Sequence, residues 1–132
     1  MGMVLVVDDS ALAREMLITE LRRSGFEIDT AIDGADAKVK IALDPPVLVI
    51  TDLIMPNVNG YELCRWIKTN PQTAKLPVIM CSTKSEDFDR YWGMKQGADA
   101  YITKPYQPKD MINAVKYLLE EAGYYREDTL GF

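Results

Sequence analysis

Five times along the chain a short apolar run gives way to a stretch in which apolar residues recur at helical spacing. Met3-Val4-Leu5-Val6-Val7 is the first such run, and Leu12, Met16, Leu17 and Leu21 follow it before Ser24-Gly25 breaks the pattern. Phe26 to Ala31 reads as a second strand. Asp33-Gly34 then turns into a helix that carries Ala35, Val39 and Ala42 and ends before Pro45-Pro46, because proline pushes the residue before it out of the helical region. Val47 to Thr51 forms a third strand, and beyond the loop Met55 to Gly60 a helix carrying Leu63, Trp66 and Ile67 runs to Asn70-Pro71. Val78 to Cys81 is the fourth strand, followed by a helix over Glu86 to Gln96 that Gly97 stops. Ala100 to Thr103 is the fifth. After Lys104-Pro105 a last helix over Pro108 to Ala122 turns Met111, Ala114, Val115, Leu118 and Leu119 inward.

Strands that are apolar on both faces must be covered on both, so the five strand-helix units predict a doubly wound α/β fold around a parallel sheet. Leu12, Met16 and the other apolar helix positions are assigned to the core. No repeat, low-complexity stretch or internal linker divides the pattern: residues 1–122 read as one domain and 123–132 as a C-terminal tail. The tail, with Tyr124, Tyr125 and Phe132, is either a frayed end or a clamp on a neighbouring surface. Fraying is favoured, since Gly123 suits a helix stop and Arg126 to Thr129 is polar.

A chain of 132 residues buries roughly two thirds of its unfolded surface and needs neither disulfide nor structural metal to hold a core. Its longest apolar runs fall far short of the ~20 residues that span a bilayer, and the N-terminus has neither the basic region nor the apolar core of a signal peptide. No membrane insertion is expected, and the localisation is read as cytoplasmic. With 15 basic against 20 acidic side chains, a net charge of −5 and no continuous basic block, direct nucleic-acid binding is not expected either. The sequence has no His, which removes imidazole acid-base chemistry, Ser-His and Cys-His nucleophiles, and phosphohistidine. Cys64 and Cys81 stand in unlike contexts and are assigned as buried core thiols.

Ligands of such sheets sit beyond the carboxyl ends of the strands. There the first strand ends in Asp8-Asp9, the third in Asp52, the fourth in Ser82-Thr83 and the fifth in Lys104-Pro105. Carboxylates gathered on one rim raise each other's pKa unless a cation compensates them, and Mg2+ suits a few carboxylates with room left for water and phosphate oxygens. Lys104 offers a point charge, and Ser82 a hydroxyl, to phosphoryl oxygens. With no His or activated Cys to compete, a carboxylate is the nucleophile of the phosphoryl site so assembled. Each member also has a plain structural role open to it: Asp8-Asp9-Ser10 as a helix cap, Asp52 as a loop acid, Ser82 and Thr83 as caps, Lys104 as a solvated charge. Four strand ends carrying complementary chemistry speak together for the site.

At these residues the sequence resembles the response-regulator receiver domains, the CheY-like family. The matching segments are Val-Leu-Val-Val-Asp-Asp-Ser at 4 to 10, Thr-Asp-Leu-Ile-Met-Pro-Asn-Val-Asn-Gly at 51 to 60, Pro-Val-Ile-Met-Cys-Ser at 77 to 82, and Gly-Ala-Asp-Ala-Tyr-Ile-Thr-Lys-Pro-Tyr at 97 to 106. The resemblance implies a flavodoxin-like strand order, 2-1-3-4-5, with five helices. It implies a phosphoacceptor switch that assists its own phosphorylation and dephosphorylation, not an enzyme. It makes Asp52 the phosphoacceptor and places Mg2+ on Asp8, Asp9, Asp52 and the backbone carbonyl of Ile54. Ser82 becomes the switch hydroxyl, Lys104 its charge partner, Tyr101 the aromatic that swings inward when the hydroxyl moves, and Lys104-Pro105 a cis peptide bond. The implied partners are a sensor histidine kinase as phosphodonor and a downstream effector protein on the face formed by the fourth helix, fifth strand and fifth helix. With no output domain read in the chain, a stand-alone regulator is expected.

Thr83 departs from the small residue usual in the family at that position, and Lys84 sets a long cation beside the site; both are expected to tune access. Tyr91 and Trp92 are adjacent on one helix and point about 100° apart, so they are not both buried; partial burial and partner contact are both open for this outer face. The stretch from Phe88 to Gly97 resembles receivers of type IV pilus motility and phototaxis in cyanobacteria. Other classes fit less well. A haloacid-dehalogenase-type phosphatase would want a second Asp where Ile54 stands, and a flavodoxin-like electron carrier would want a hydroxyl-rich phosphate loop where Asp8-Asp9 stand. A phosphorylation-independent interaction module on the same fold is the alternative reading.

Overall fold

A computed structural model describes residues 2–124 of the chain. Its elements run β1 (Met3–Val7), α1 (Ala11–Arg23), β2 (Glu27–Ala31), α2 (Gly34–Leu43), β3 (Leu48–Asp52), α3 (Gly60–Thr69), β4 (Val78–Ser82), α4 (Asp87–Lys95), β5 (Ala100–Thr103) and α5 (Pro108–Glu121). All strands pair in parallel in the order β2-β1-β3-β4-β5. The predicted fold class and strand order are therefore what the chain adopts.

The three interior strands have little choice of environment. β1, β3 and β4 are buried along almost their whole length, with alternate residues feeding two separate cores. On one face Val4, Val6, Ile50 and Ile79 meet Leu21 of α1 and Met111 of α5. On the other, Leu5, Val7, Val49 and Met80 meet Ile41 of α2 and Leu63 and Ile67 of α3. β2 departs from the expectation of two apolar faces: Glu27 and Asp29 are exposed and only Ala31 is fully buried, as suits an edge strand with water on one side.

Two helices present a different stripe from the one expected. Leu12 and Met16 are 72% and 64% exposed, and α1 docks instead through Leu17, Ile18 and Leu21. On α2, Ala35, Val39 and Ala42 face outward, and Gly34, Ala37 and Ile41 are buried. The reason on α2 is close approach: a side-chain carbon at Gly34 would lie 2.5 Å from the carbonyl oxygen of Val58. A glycine there lets the helix start pack against the loop after β3, and that contact fixes the rotation of α2.

Ser10, Asp33 and Asn59 cap α1, α2 and α3, each side chain accepting a backbone N–H three residues on. The glycines expected to stop helices, Gly25, Gly97 and Gly123, all have positive φ. Tyr124 N–H donates to the Leu119 carbonyl at 2.8 Å, closing α5. Of the tail expected at 123–132, residues 125–132 lie outside the described residues. Among the described residues no helix is long and apolar enough to cross a membrane.

Candidate functional site

The chain order of the sheet reverses at β1, which lies between β2 and β3, and the site lies at the carboxyl ends beside that reversal. Val7 pairs with Thr51, so Asp8 and Asp52 leave the sheet side by side. Asp8 is pinned by its loop. Its Oδ1 accepts the N–H of Ser10 at 2.9 Å, its N–H donates to the Ala31 carbonyl, and its carbonyl accepts from Arg14 Nη1 at 2.6 Å. Both readings of Asp8-Asp9-Ser10 are thus present at once: Ser10 caps α1, and the acids stand on the rim.

β3 is followed by a loop that folds back on its own start. Gly60 N–H donates to the Leu53 carbonyl at 2.8 Å, and Asn57 takes the left-handed conformation at φ 68°. On the far side, Ser82 pairs with Thr103, and Lys104 N–H donates to the Ser82 carbonyl at 2.8 Å. The Lys104–Pro105 bond is cis. Lys104 Nζ lies 3.2 Å from Asp8 Oδ2 and 3.4 Å from Asp52 Oδ1.

Carboxylate oxygens of Asp8, Asp9 and Asp52 lie within 4.8 Å of one another, with Asp8 buried, Asp52 half-buried and Asp9 exposed. Burial raises the pKa of Asp52 above the usual carboxylate value; Lys104 opposes the shift and Asp8 reinforces it. For Lys104, burial works against the ammonium, but Asp52 and Asp8 outweigh it and hold its pKa above the ordinary value. The donor set, three carboxylates with oxygen ligands only and an open side, fits a hard divalent cation.

Ser82 is 1% exposed, and its Oγ accepts the N–H of Lys84 at 3.1 Å. The Tyr101 hydroxyl donates to the carbonyl of the same Lys84 at 2.8 Å, and the ring is buried. Tyr101 is thus already inward. Ile54, Thr83 and Lys84 are exposed around the rim. A cleft of about 620 Å³ brings Val6, Leu17, Ile50, Cys81 and Tyr106 together with Asp8, Asp52 and Lys104 in its lining. Cys64 and Cys81 are free and buried, as expected.

Two residues of this neighbourhood carry no sequence signal. Arg14 reads as an ordinary helix cation, yet it ties α1 to Asp8. Arg90 reads the same way, yet its Nη1 donates to the Tyr101 carbonyl at 2.8 Å and its guanidinium lies 5.4 Å from the centre of that ring.

A family model described as response regulator receiver domain matches residues 4–116. The chain belongs to this family. Among its relatives, protein PilG of Pseudomonas aeruginosa is 41% identical over 113 residues, which cover 86% of this chain and 84% of that one. The transcriptional regulatory protein GltR of the same organism is 36% identical over 121 residues, 92% of this chain but only 50% of GltR. This receiver thus spans about half the length of that relative. The signal receiver domain of a signal transduction histidine kinase from Syntrophus aciditrophicus superposes with a TM-score of 0.88 at 33% identity, over 96% of each chain. Receiver domains are the phosphoacceptor switches of two-component signalling: histidine kinases supply their phosphoryl groups, Mg2+ serves the site, and effectors read the result.

Proposed function

We propose that Asp52 accepts a phosphoryl group from the phosphohistidine of a sensor histidine kinase, and that the phosphorylated chain, working as a separate cytoplasmic protein, signals by binding an effector through α4, β5 and α5. One observation carries this reading: carboxylates from β1 and β3 and the ammonium that follows β5 meet at a single point on an open rim.

In the proposed reaction an Asp52 carboxylate oxygen attacks phosphorus, the phosphorus–nitrogen bond of the donor breaks, and the electron pair leaves with the imidazole. An acyl phosphate results. Lys104 Nζ meets the charge on the phosphoryl oxygens, and the Ser82 hydroxyl donates to one of them. Asp8, Asp9, Asp52 and the Ile54 carbonyl are the groups that would hold Mg2+, which when bound neutralises charge between the carboxylates and the phosphoryl group.

The relay starts at one residue, Lys84. Ser82 Oγ holds the N–H of Lys84 and Tyr101 the carbonyl of the same residue, just before α4. Drawing Ser82 toward a phosphoryl oxygen frees that N–H and favours the inward Tyr101 over other positions, a population shift based on differential affinity. The identity to PilG and the stretch from Phe88 to Gly97 support a role in type IV pilus motility or phototaxis.

Phosphotransfer tests the reading. A histidine kinase core carrying labelled phosphohistidine should pass its label to this chain with Mg2+ present and not to Asp52→Asn. Effector capture that is identical with and without phosphorylation favours the phosphorylation-independent module instead.

A further inference from the structure

β5 is an edge strand, so no further strand covers Tyr101 on its outer side, yet the residue is only 5% exposed. Helix α4 supplies the cover. Arg90 Nη1 donates to the Tyr101 carbonyl at 2.8 Å, and the same guanidinium lies 5.4 Å from the centre of the Tyr101 ring. Three residues on, Gly93 is the one buried residue of α4, and a side-chain carbon there would lie 2.8 Å from Tyr101 Cδ2 and 3.2 Å from Met80 Sδ. The helix therefore rests directly on the ring. From α3 the Tyr61 hydroxyl donates to the Asp89 carbonyl at 3.2 Å, which steadies the turn of α4 that carries Arg90.

At 100° per residue Arg90 stands about 60° round from Gly93, on the flank of α4 that meets β5. None of the described ion pairs engages Arg90, so no carboxylate competes there for its guanidinium. A planar guanidinium can stack on a ring while one of its N–H groups holds a carbonyl, which the point charge of a lysine cannot do. The hydroxyl bond to Lys84, the contact with Gly93 and the contact with the guanidinium all belong to one position of the ring. A ring that turned outward would give up all three, and this difference in contacts is what biases a two-state side chain.

We propose that Arg90 is a positioning residue that holds Tyr101 inward in the resting chain and thereby raises the affinity of the Asp52 site for a phosphoryl group. The second half rests on the phosphoacceptor reading of Asp52 and on the link from Ser82 to Tyr101 through Lys84. Such coupling is reciprocal: where a phosphoryl group favours the inward ring, the inward ring favours the phosphoryl group by the same factor. Loss of Arg90 lowers the inward fraction, and the apparent affinity falls in proportion.

Fluorine NMR of the chain labelled with 3-fluorotyrosine reads the ring, with the Tyr101 resonance assigned by Tyr101→Phe. In the native chain that resonance should move little when Mg2+ and beryllofluoride, a phosphoryl mimic, are added. Arg90→Ala should shift it in the resting chain, and saturation with Mg2+ and beryllofluoride should return it to the native bound position. Apparent affinity for beryllofluoride should fall about threefold to tenfold in Arg90→Ala, with Arg90→Lys in between. A resting resonance that Arg90→Ala leaves in place overturns the proposal. So does a shift that saturation fails to reverse, which marks mere structural damage, or a shift with unchanged affinity. A native chain that binds no beryllofluoride overturns the phosphoacceptor reading and with it the affinity half of the proposal, while the resting resonance still decides whether Arg90 holds the ring.

Discussion

Lys104 Nζ lies 3.4 Å from Asp52 Oδ1, joining two residues 52 positions apart at the ends of β5 and β3. The same ammonium is 3.2 Å from Asp8 Oδ2, so one cation compensates two carboxylates that would otherwise repel each other. Lys104→Ala should therefore lower stability in metal-free buffer by about 2 kcal/mol, from the lost charge-assisted bonds and the uncompensated pair. Added Mg2+ should restore more stability to the variant than it adds to the native chain. Urea denaturation with and without Mg2+ measures both, and a variant as stable as the native chain without metal contradicts this role for Lys104.

Gly60 touches Asp52, the proposed acceptor, through backbone. A side-chain carbon there would lie 2.5 Å from the Asp52 carbonyl oxygen and 2.9 Å from Leu53 Cα, neither of which can rotate aside. Gly60→Ala should cost roughly 2–4 kcal/mol, despite the ~1 kcal/mol that alanine gains in a helix. Phosphoryl uptake should fall with it, because the strand end that yields carries Asp52. Unfolding midpoints and labelling rates of the one variant test the two parts.

The interior strands and the gathering of the site residues were legible because burial on both faces leaves a continuous apolar signature, and because β1, β3, β4 and β5 each end in, or run directly into, a polar residue on the same rim. Rotation of the helices was not. On α1, Leu12 and Met16 fit the helical period as well as Leu17, Ile18 and Leu21 do, and only docking against β1 and α5 chooses between the stripes. On α2 the choice falls to Gly34, whose approach to Val58 depends on a loop distant in sequence. Arg14 and Arg90 were illegible for a related reason: each acts on a backbone carbonyl, and no side-chain pattern announces such a partner.

The buried thiols set an alkaline limit. Burial pushes Cys64 from its ordinary 9.0 up to about 11, and Cys81 up to about 12. Below pH 9 folded and unfolded chains both keep these protons, and stability does not depend on pH through them. Above it the unfolded chain loses them first, so stability should fall as pH rises from 9 to about 11 through Cys64 and to about 12 through Cys81. Denaturation at pH 8, 9, 10 and 11 should show this slope, and Cys64→Ala, although less stable at pH 8, should show a shallower one. An equal slope in the variant assigns the alkaline loss to other groups.

The rim residues bear on the lifetime of the acyl phosphate. Hydrolysis needs a water in line with the phosphorus–oxygen bond; Ile54, 54% exposed, offers that water no hydrogen bond, and Lys84 and Thr83 stand exposed beside its approach. Ile54→Asn and Lys84→Glu should each speed decay several-fold at fixed Mg2+. If both leave decay unchanged or slow it, occlusion does not set the lifetime.

Asp52 is proposed as the phosphoacceptor of a metal-assisted site. Intact-mass spectrometry after incubation with Mg2+ and a small acyl phosphate donor tests it most directly, with peptide mapping of the modified chain. One added phosphoryl mass, mapped to Asp52 and lost both in Asp52→Asn and on chelation of the metal, is the predicted result; full labelling of Asp52→Asn, or labelling that chelation leaves intact, would contradict it.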